Sequence, residues 1–159
     1  MDAELLKLYE KLQPLFAKKM GPIQSGDRVY RKCTVFGEPI DEQIWPKDKM
    51  FEIVIVREQS SINSYWHCQN EKGEERLLTD QEMLVETCTR LPLPIDPVNP
   101  ERGLLGMLKG DQRMWSVGDR WWVAVNIEVG VKEYIEGEGD SPTEALLKAL
   151  IATEDCYER

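Results

Sequence analysis

GEGDSPTEALLKALIATED, residues 137–155, contains a helix start that is fixed almost to the residue and a helix body that is apolar around most of its circumference. Ser141 is placed to cap the start, Pro142 suits the first helical position, and Glu144 closes a capping box. A helix of about three turns is marginal alone, so side chains must fix where it begins. Beyond the cap, Ala145, Leu146, Leu147, Ala149, Leu150, Ile151 and Ala152 leave only Glu144 and Lys148 as a polar stripe, a favourable i,i+4 pair. A helix resting on one sheet needs an apolar arc of about 100° or slightly more. This one is therefore expected to touch a further element: the N-terminal helix, the proline-rich segment or a second subunit. Gly137 and Gly139 read as a turn before the cap.

Upstream, MWSVGDRWWVAVNIEVG (114–130) alternates Trp121, Val123, Val125, Ile127 and Val129 with Trp122, Ala124, Asn126 and Glu128. One wholly apolar face and one mixed face mark a half-buried strand. Neighbouring strand residues point to opposite faces, so one of Trp121 and Trp122 is expected on the less buried side. VKEYIEG returns as its partner across Gly130. SVGDRWW at 116–122 echoes QSGDRVY at 24–30, but glycine and aspartate before a strand form an ordinary turn and the flanking residues do not repeat.

Toward the N-terminus, residues 2–12 place Leu5, Leu8, Tyr9 and Leu12 on one stripe, as in an amphipathic helix. Pro14 either stops that helix or opens a second turn through Phe16 and Met20, and Gly21-Pro22 ends the segment. From Gly26 the pattern is β: GDRVYRKC, MFEIVIVRE (50–58), SYWHCQN (64–70) and ERLL (75–78), with EKGE as a turn. The stretch VFGEPIDEQIWPKDK reads as a long loop. Thr79 and Glu82 suggest a single helical turn. LPLPIDPVNPERG, residues 91–103, has too many prolines for regular structure and is the candidate linker, its Leu and Ile lying against a surface. GLLGMLKG (103–110) reads as a short helix weakened by glycine. The expected fold is α+β: an N-terminal helix with a small antiparallel barrel-like β unit in 1–90, the proline-rich linker in 91–103, and C-terminal antiparallel strands with a packed helix in 104–159.

The 159 residues are enough for a real core, and the hydrophobic content of 42% with five Trp argues for a folded chain. Twenty Lys and Arg against 29 Asp and Glu give a net charge of −9, which opposes general attraction to nucleic acid or anionic lipid. The charge is uneven. Residues 1–32 hold four acids and seven bases, whereas residues 133–159 hold eight acids and two bases. The four cysteines, Cys33, Cys68, Cys88 and Cys156, show no CxxC pairing, and MDAELLKLYEKL lacks the apolar core of a signal peptide. Reduced thiols in a cytoplasmic protein without a membrane span are expected.

His67 is the single histidine and adjoins Cys68. On a strand the two point to opposite faces, so adjacency does not make a catalytic pair, and no spacing predicts a zinc site. The cysteines read best as small core residues. No nucleophile elbow, P-loop or metalloprotease motif is present, and no catalytic residue, metal or cofactor is expected. Glu133, Glu136, Glu138 and Asp140 lack the spacing of a calcium loop and read as a solvated acidic edge. With Trp121 and Trp122, since tryptophan is favoured at binding hot spots, they form the candidate binding set.

GDRVYRKC, FEIVIVRE, SYWHCQNEKGEERLL and TDQEML resemble, in order, a small SH3-like or Tudor-like barrel: an opening strand, a long bent strand, a hairpin at a GE turn and a closing helical turn. GDRWWVAVNIEVGVKEYIEGEGDSPTEALLKALIA resembles the strand-strand-helix of HicB-like antitoxins and small phage sandwich domains, and the combination is similar to phage and prophage proteins. The resemblance implies a phage- or prophage-encoded, non-enzymatic accessory protein working by protein contacts. Nothing in the chain matches the DNA-binding module of HicB-like proteins. In a sharper form, its acidic edge would mimic nucleic acid and inhibit a host nuclease or defence complex, in the manner of an anti-CRISPR protein. The expected partner is a host or phage protein, in the sharper form a basic nucleic-acid-binding one, and a homodimer through the C-terminal helix is a further expectation. The rivals are a small enzyme, and a nucleic-acid-binding module using the basic first 32 residues and exposed aromatics.

Overall fold

The computed structural model describes residues 2–32, 34–35, 38–39, 51–79, 88–129 and 131–157. Cys33, most of the expected loop at 35–49, Glu82 of the expected helical turn, and Gly130 lie outside the described residues. The chain is α+β and forms two compact units, one of residues 22–91 and the other of residues 1–21 with 92–159. A boundary was expected near this point, but residues 1–21 group with the C-terminal part, not with the β-rich part. Helical periodicity identifies a helix without saying which sheet it serves, and contacts made across the chain decide that.

In the 22–91 unit, β1 (Arg28–Lys32), β4 (Phe51–Gln59), β5 (Trp66–Asn70), β6 (Glu75–Leu78) and β7 (Cys88–Arg90) form an antiparallel sheet in the order β6-β5-β4-β1-β7. A small ladder of β2 (Thr34–Val35) and β3 (Glu38–Pro39) stands beside β1 in sequence. Val29, Val54, Val56, Cys68 and Leu78 are buried together, with Ile23, Trp66 and Cys88 packed against them. The β5–β6 turn falls on EKGE as expected: the Asn70 side-chain oxygen accepts from the amides of Lys72 and Glu74 (3.0 and 2.9 Å), and Gly73 takes a positive φ. Glu52 ties three strands together, accepting from Arg76 Nε at 2.7 Å and from the Asn70 amide at 3.3 Å.

The other unit begins with α1 (Ala3–Lys11), capped by the Asp2 carboxylate accepting from the Glu4 amide, and continues directly into α2 (Gln13–Met20), with Pro14 in its first turn. Tyr9, Leu12, Leu15 and Phe16 are buried. The proline-rich stretch folds back on the short helix α3 (Leu104–Met107): the Leu93 and Pro94 carbonyls accept from the amides of Leu104 and Leu105, and Asp96 caps Val98 and Asn99. Its ends are held to the helices at the start of the chain. The Tyr9 hydroxyl donates to the Pro92 carbonyl at 3.1 Å, and the buried Arg102 guanidinium donates to the Met20 carbonyl. These bonds satisfy backbone groups that regular structure leaves open.

Then β8 (Asp111–Val117), β9 (Arg120–Val129) and β10 (Val131–Gly139) form a meander in the order β10-β9-β8, and α4 (Pro142–Tyr157) packs on β10 and β9. The Gly118-Asp119 turn and the strand after it were expected, but Asp111–Val117 ahead of the turn is also a strand, so the two form a hairpin. Gly118, at positive φ in the first of two loop positions, reverses the chain between Val117 and Arg120. The face with Val123, Val125, Ile127 and Ile135 is buried against α4, as the alternation implied. The helix cap also matches: Ser141 Oγ accepts from the Glu144 amide at 3.2 Å, the Glu144 carboxylate accepts from the Asp140 amide at 2.9 Å, and Lys148 pairs with Glu144 at 2.9 Å. The helix's spare apolar surface meets α1 and α3 within the same unit.

Gly137 and Gly139 do not form a turn. They are β10 residues on the face toward α4. A Cβ at Gly137 would stand 2.3 Å from the Ala145 carbonyl oxygen and 2.5 Å from the Ala149 amide, and one at Gly139 would stand 2.7 Å from the Glu144 side chain. Glycine on the strand and alanine at i,i+4 on the helix let the two backbones come almost into contact. Gly137→Ala is expected to lower unfolding free energy by about 1–3 kcal/mol by overpacking this seam, whereas Glu136→Ala, on the open face, changes it by less than about 0.5 kcal/mol in the same urea titration.

The Asp140 amide, and next Lys148, hold the Glu144 carboxyl below its ordinary pKa. The native chain therefore releases this proton more readily than the unfolded one. Its contribution to stability is present at neutral pH and is lost as pH falls through the usual carboxylate range and then through the lowered native value. Glu144→Gln removes that contribution, so the urea midpoint of the variant should fall less than that of wild type between about pH 7 and about pH 3.

Candidate functional site

Direct pairing across the meander places side chains in rows on the face that α4 does not cover. Glu138, Trp122 and Trp115 form one row, Glu136, Ala124 and Arg113 the next, and Tyr134, Asn126 and Asp111 the third. The Trp115 and Trp122 rings lie nearly parallel, 11° apart with centroids separated by 6.3 Å, within the range of favourable aromatic pairing. Trp115 is 37% exposed and Tyr134 58%, while Ala124 between their rows is covered. The surface therefore has an aromatic slab at one end, a tyrosine at the other and a small residue between.

The expected acidic edge is partly neutralised. Arg120 contacts Asp140 at 2.6 Å and Glu138 at 3.2 Å, and the Asp140 bond, more than any other cause, raises the arginine pKa. Glu136 and Arg113 are exposed and form no ion pair among the described residues. Of the six residues singled out from sequence, Trp122, Glu136, Glu138 and Asp140 come together on this side. Trp121 pairs with Ser116 and Gly139 on the other face and is half-buried. Glu133 is placed only by its backbone pairing with Ile127. Trp115, Arg113 and Tyr134 were not anticipated. The signal for the first two is the Gly118-Asp119 turn, which was read only as the start of β9; with a strand on its other side it sets Trp115 opposite Trp122 and Arg113 opposite Ala124.

In the other unit His67 is exposed on β5 and Cys68 is buried on the opposite side of the strand. Burial pushes the Cys68 thiol up to about 11, so it is protonated at neutral pH and is not a ready nucleophile. Cys88 is half-buried and Cys156 buried. No group of three or more His, Cys, Asp or Glu side chains with metal-binding placement occurs among the described residues, and no helix there is long and apolar enough to cross a membrane. No family model, curated protein or solved structure matches the chain.

A thiol this buried should resist an aromatic disulfide reagent at about pH 8 until the protein unfolds. Labelling followed by peptide mapping is expected to show Cys68 modified only in denaturant. Rapid modification of the native protein at Cys68 would contradict the assigned burial.

Proposed function

We propose that the protein is a non-enzymatic, phage- or prophage-encoded accessory protein of the host cytoplasm that acts by binding another protein through the outer face of the β8–β10 sheet. The observation that carries this reading is the Trp115–Trp122 pair, set on a regular sheet and left partly open, with Arg113 in the next row and Tyr134 at the other end of the same face. Tryptophan, tyrosine and arginine are the residues that dominate binding energy at protein interfaces. A surface built on strands also holds them in place at little entropic cost on binding.

The acid excess in residues 133–159 supports a partner with a basic rim, such as a host nuclease or defence complex. Arg120 already engages Glu138 and Asp140, so we assign the charges to steering and specificity, and the aromatics to affinity. The SH3-like or Tudor-like reading of residues 21–90 draws support from β4, a long strand whose register shifts between Val56 and Glu58, and from the hairpin at EKGE. The reading of the C-terminal part as HicB-like draws support from the hairpin and capped helix.

Affinity capture of the tagged full chain from bacterial host lysate, followed by direct binding to the purified partner, tests the proposal. Trp115→Ala is expected to weaken binding by about 30-fold or more, as at an interface hot spot, with stability lowered by less than about 1 kcal/mol. Binding should also weaken as salt rises, through a slower association rate. A partner that binds Trp115→Ala and Trp122→Ala as tightly as wild type would overturn the assignment of this face. Retention of a single-stranded nucleic acid in place of a protein would favour the stacking alternative.

A further inference from the structure

We propose that two copies of this chain pair through β8, antiparallel and centred on Met114, joining their three-stranded sheets into one continuous sheet. Among the described residues β8 is an edge strand, bonded to β9 on one side only. Its register with β9 runs from Asp111 to Val117 without a shift, so no bulge turns the edge away. The sequence DQRMWSV contains neither proline nor lysine, and every side chain except Gln112 is exposed, with Met114 at 41% and Val117 at 64%. Proteins ordinarily blunt such an edge with those very devices, because a flat row of open amides and carbonyls is a template for another strand.

What singles out a second copy as the occupant is the order of residues along β8. In the antiparallel register that uses all of Asp111–Val117, Arg113 lies opposite Trp115 of the partner subunit, Gln112 opposite Ser116 of the partner subunit, and Asp111 opposite Val117 of the partner subunit. Each Arg113, which forms no ion pair among the described residues, thereby reaches an indole face, a favourable cation–π arrangement that occurs twice by symmetry. Met114 meets Met114 at the axis, and no like charges stand directly opposite. Moving the axis to Arg113 sets arginine against arginine, and like charges directly opposite one another destabilise a sheet.

The other edge behaves differently. β10 carries Glu136 and Glu138 on its outer face, and pairing it with itself about Glu136 sets carboxylate directly opposite carboxylate, whereas in the β8 pairing the two Arg113 side chains are only diagonal, each opposite an indole. Its Gly137 and Gly139 are also pressed against α4. Self-complementarity thus belongs to β8 alone of the two edges. The proposal stands whether or not the outer face binds a further protein. If it does, pairing would bring two Trp115–Trp122 slabs onto one surface.

Sedimentation equilibrium of the full chain over a concentration series, with three variants, tests this. Wild type is expected to dimerise. Met114→Lys, which sets two ammonium groups at the axis, is expected to raise the dimer dissociation constant about tenfold or more, while Glu136→Lys leaves it unchanged. Met114→Cys should form a disulfide-linked dimer on mild oxidation above the wild-type background, and Val117→Cys, whose symmetry mate is distant, should not. A wild-type monomer at every concentration would overturn the proposal. So would dimerisation unaffected by folded Met114→Lys, or a dimer in which Met114→Cys does not cross-link.

Discussion

The close contact of β10 with α4 organises the unit that contains both ends of the chain. Gly137 leaves no room for a Cβ against Ala145 and Ala149, so strand and helix meet backbone to backbone. With the helix seated this low, Leu146, Leu147 and Leu150 are fully buried, and the side of α4 turned away from the sheet remains apolar and must be covered. α1 and α3 supply the cover. The opening residues of the chain are therefore part of the C-terminal core, and the proline-rich stretch is held at its ends by Tyr9 and by Arg102.

The same contact decides which surface is left for function. The helix takes the face of Val123, Val125 and Ile127, so Trp122, the mixed row beside it and, from β8, Asp111, Arg113, Trp115 and Val117 remain on the open side. An aromatic pair there has no covering element among the described residues of its own unit. Chains of this size expose single apolar residues routinely, but stacked indoles beside an exposed arginine on a regular sheet are an arrangement that protein interfaces favour. The 22–91 unit buries the Cys68 thiol and leaves its histidine on the other side of the strand, and its described residues form no comparable constellation.

Much of this was legible from local signals. The cap at Ser141 and Glu144, the Glu144–Lys148 pair, the buried odd-numbered face of β9 and the EKGE turn each depend on residues a few positions apart, and all were readable. The excess apolar surface of α4 announced a further contact but did not say which element makes it, because α1 is far away in sequence. Gly137 and Gly139 were misread because glycine before a cap is consistent with both a turn and a close approach, and only the neighbouring backbone distinguishes them. The turn at Gly118-Asp119 was legible, but the strand ahead of it was not, because DQRMWSV has no regular alternation of apolar and polar residues. With it went Trp115 and Arg113, half of the candidate site.

Native-state hydrogen exchange of the full chain tests whether α1 and α4 belong to one core, because amides that belong to one cooperative core open together. If α1 covers α4, peptides from residues 3–20 will share the slow exchange and the denaturant response of peptides from residues 142–157. Exchange of residues 3–20 at the rate of a frayed terminus, with residues 142–157 still protected, would contradict it.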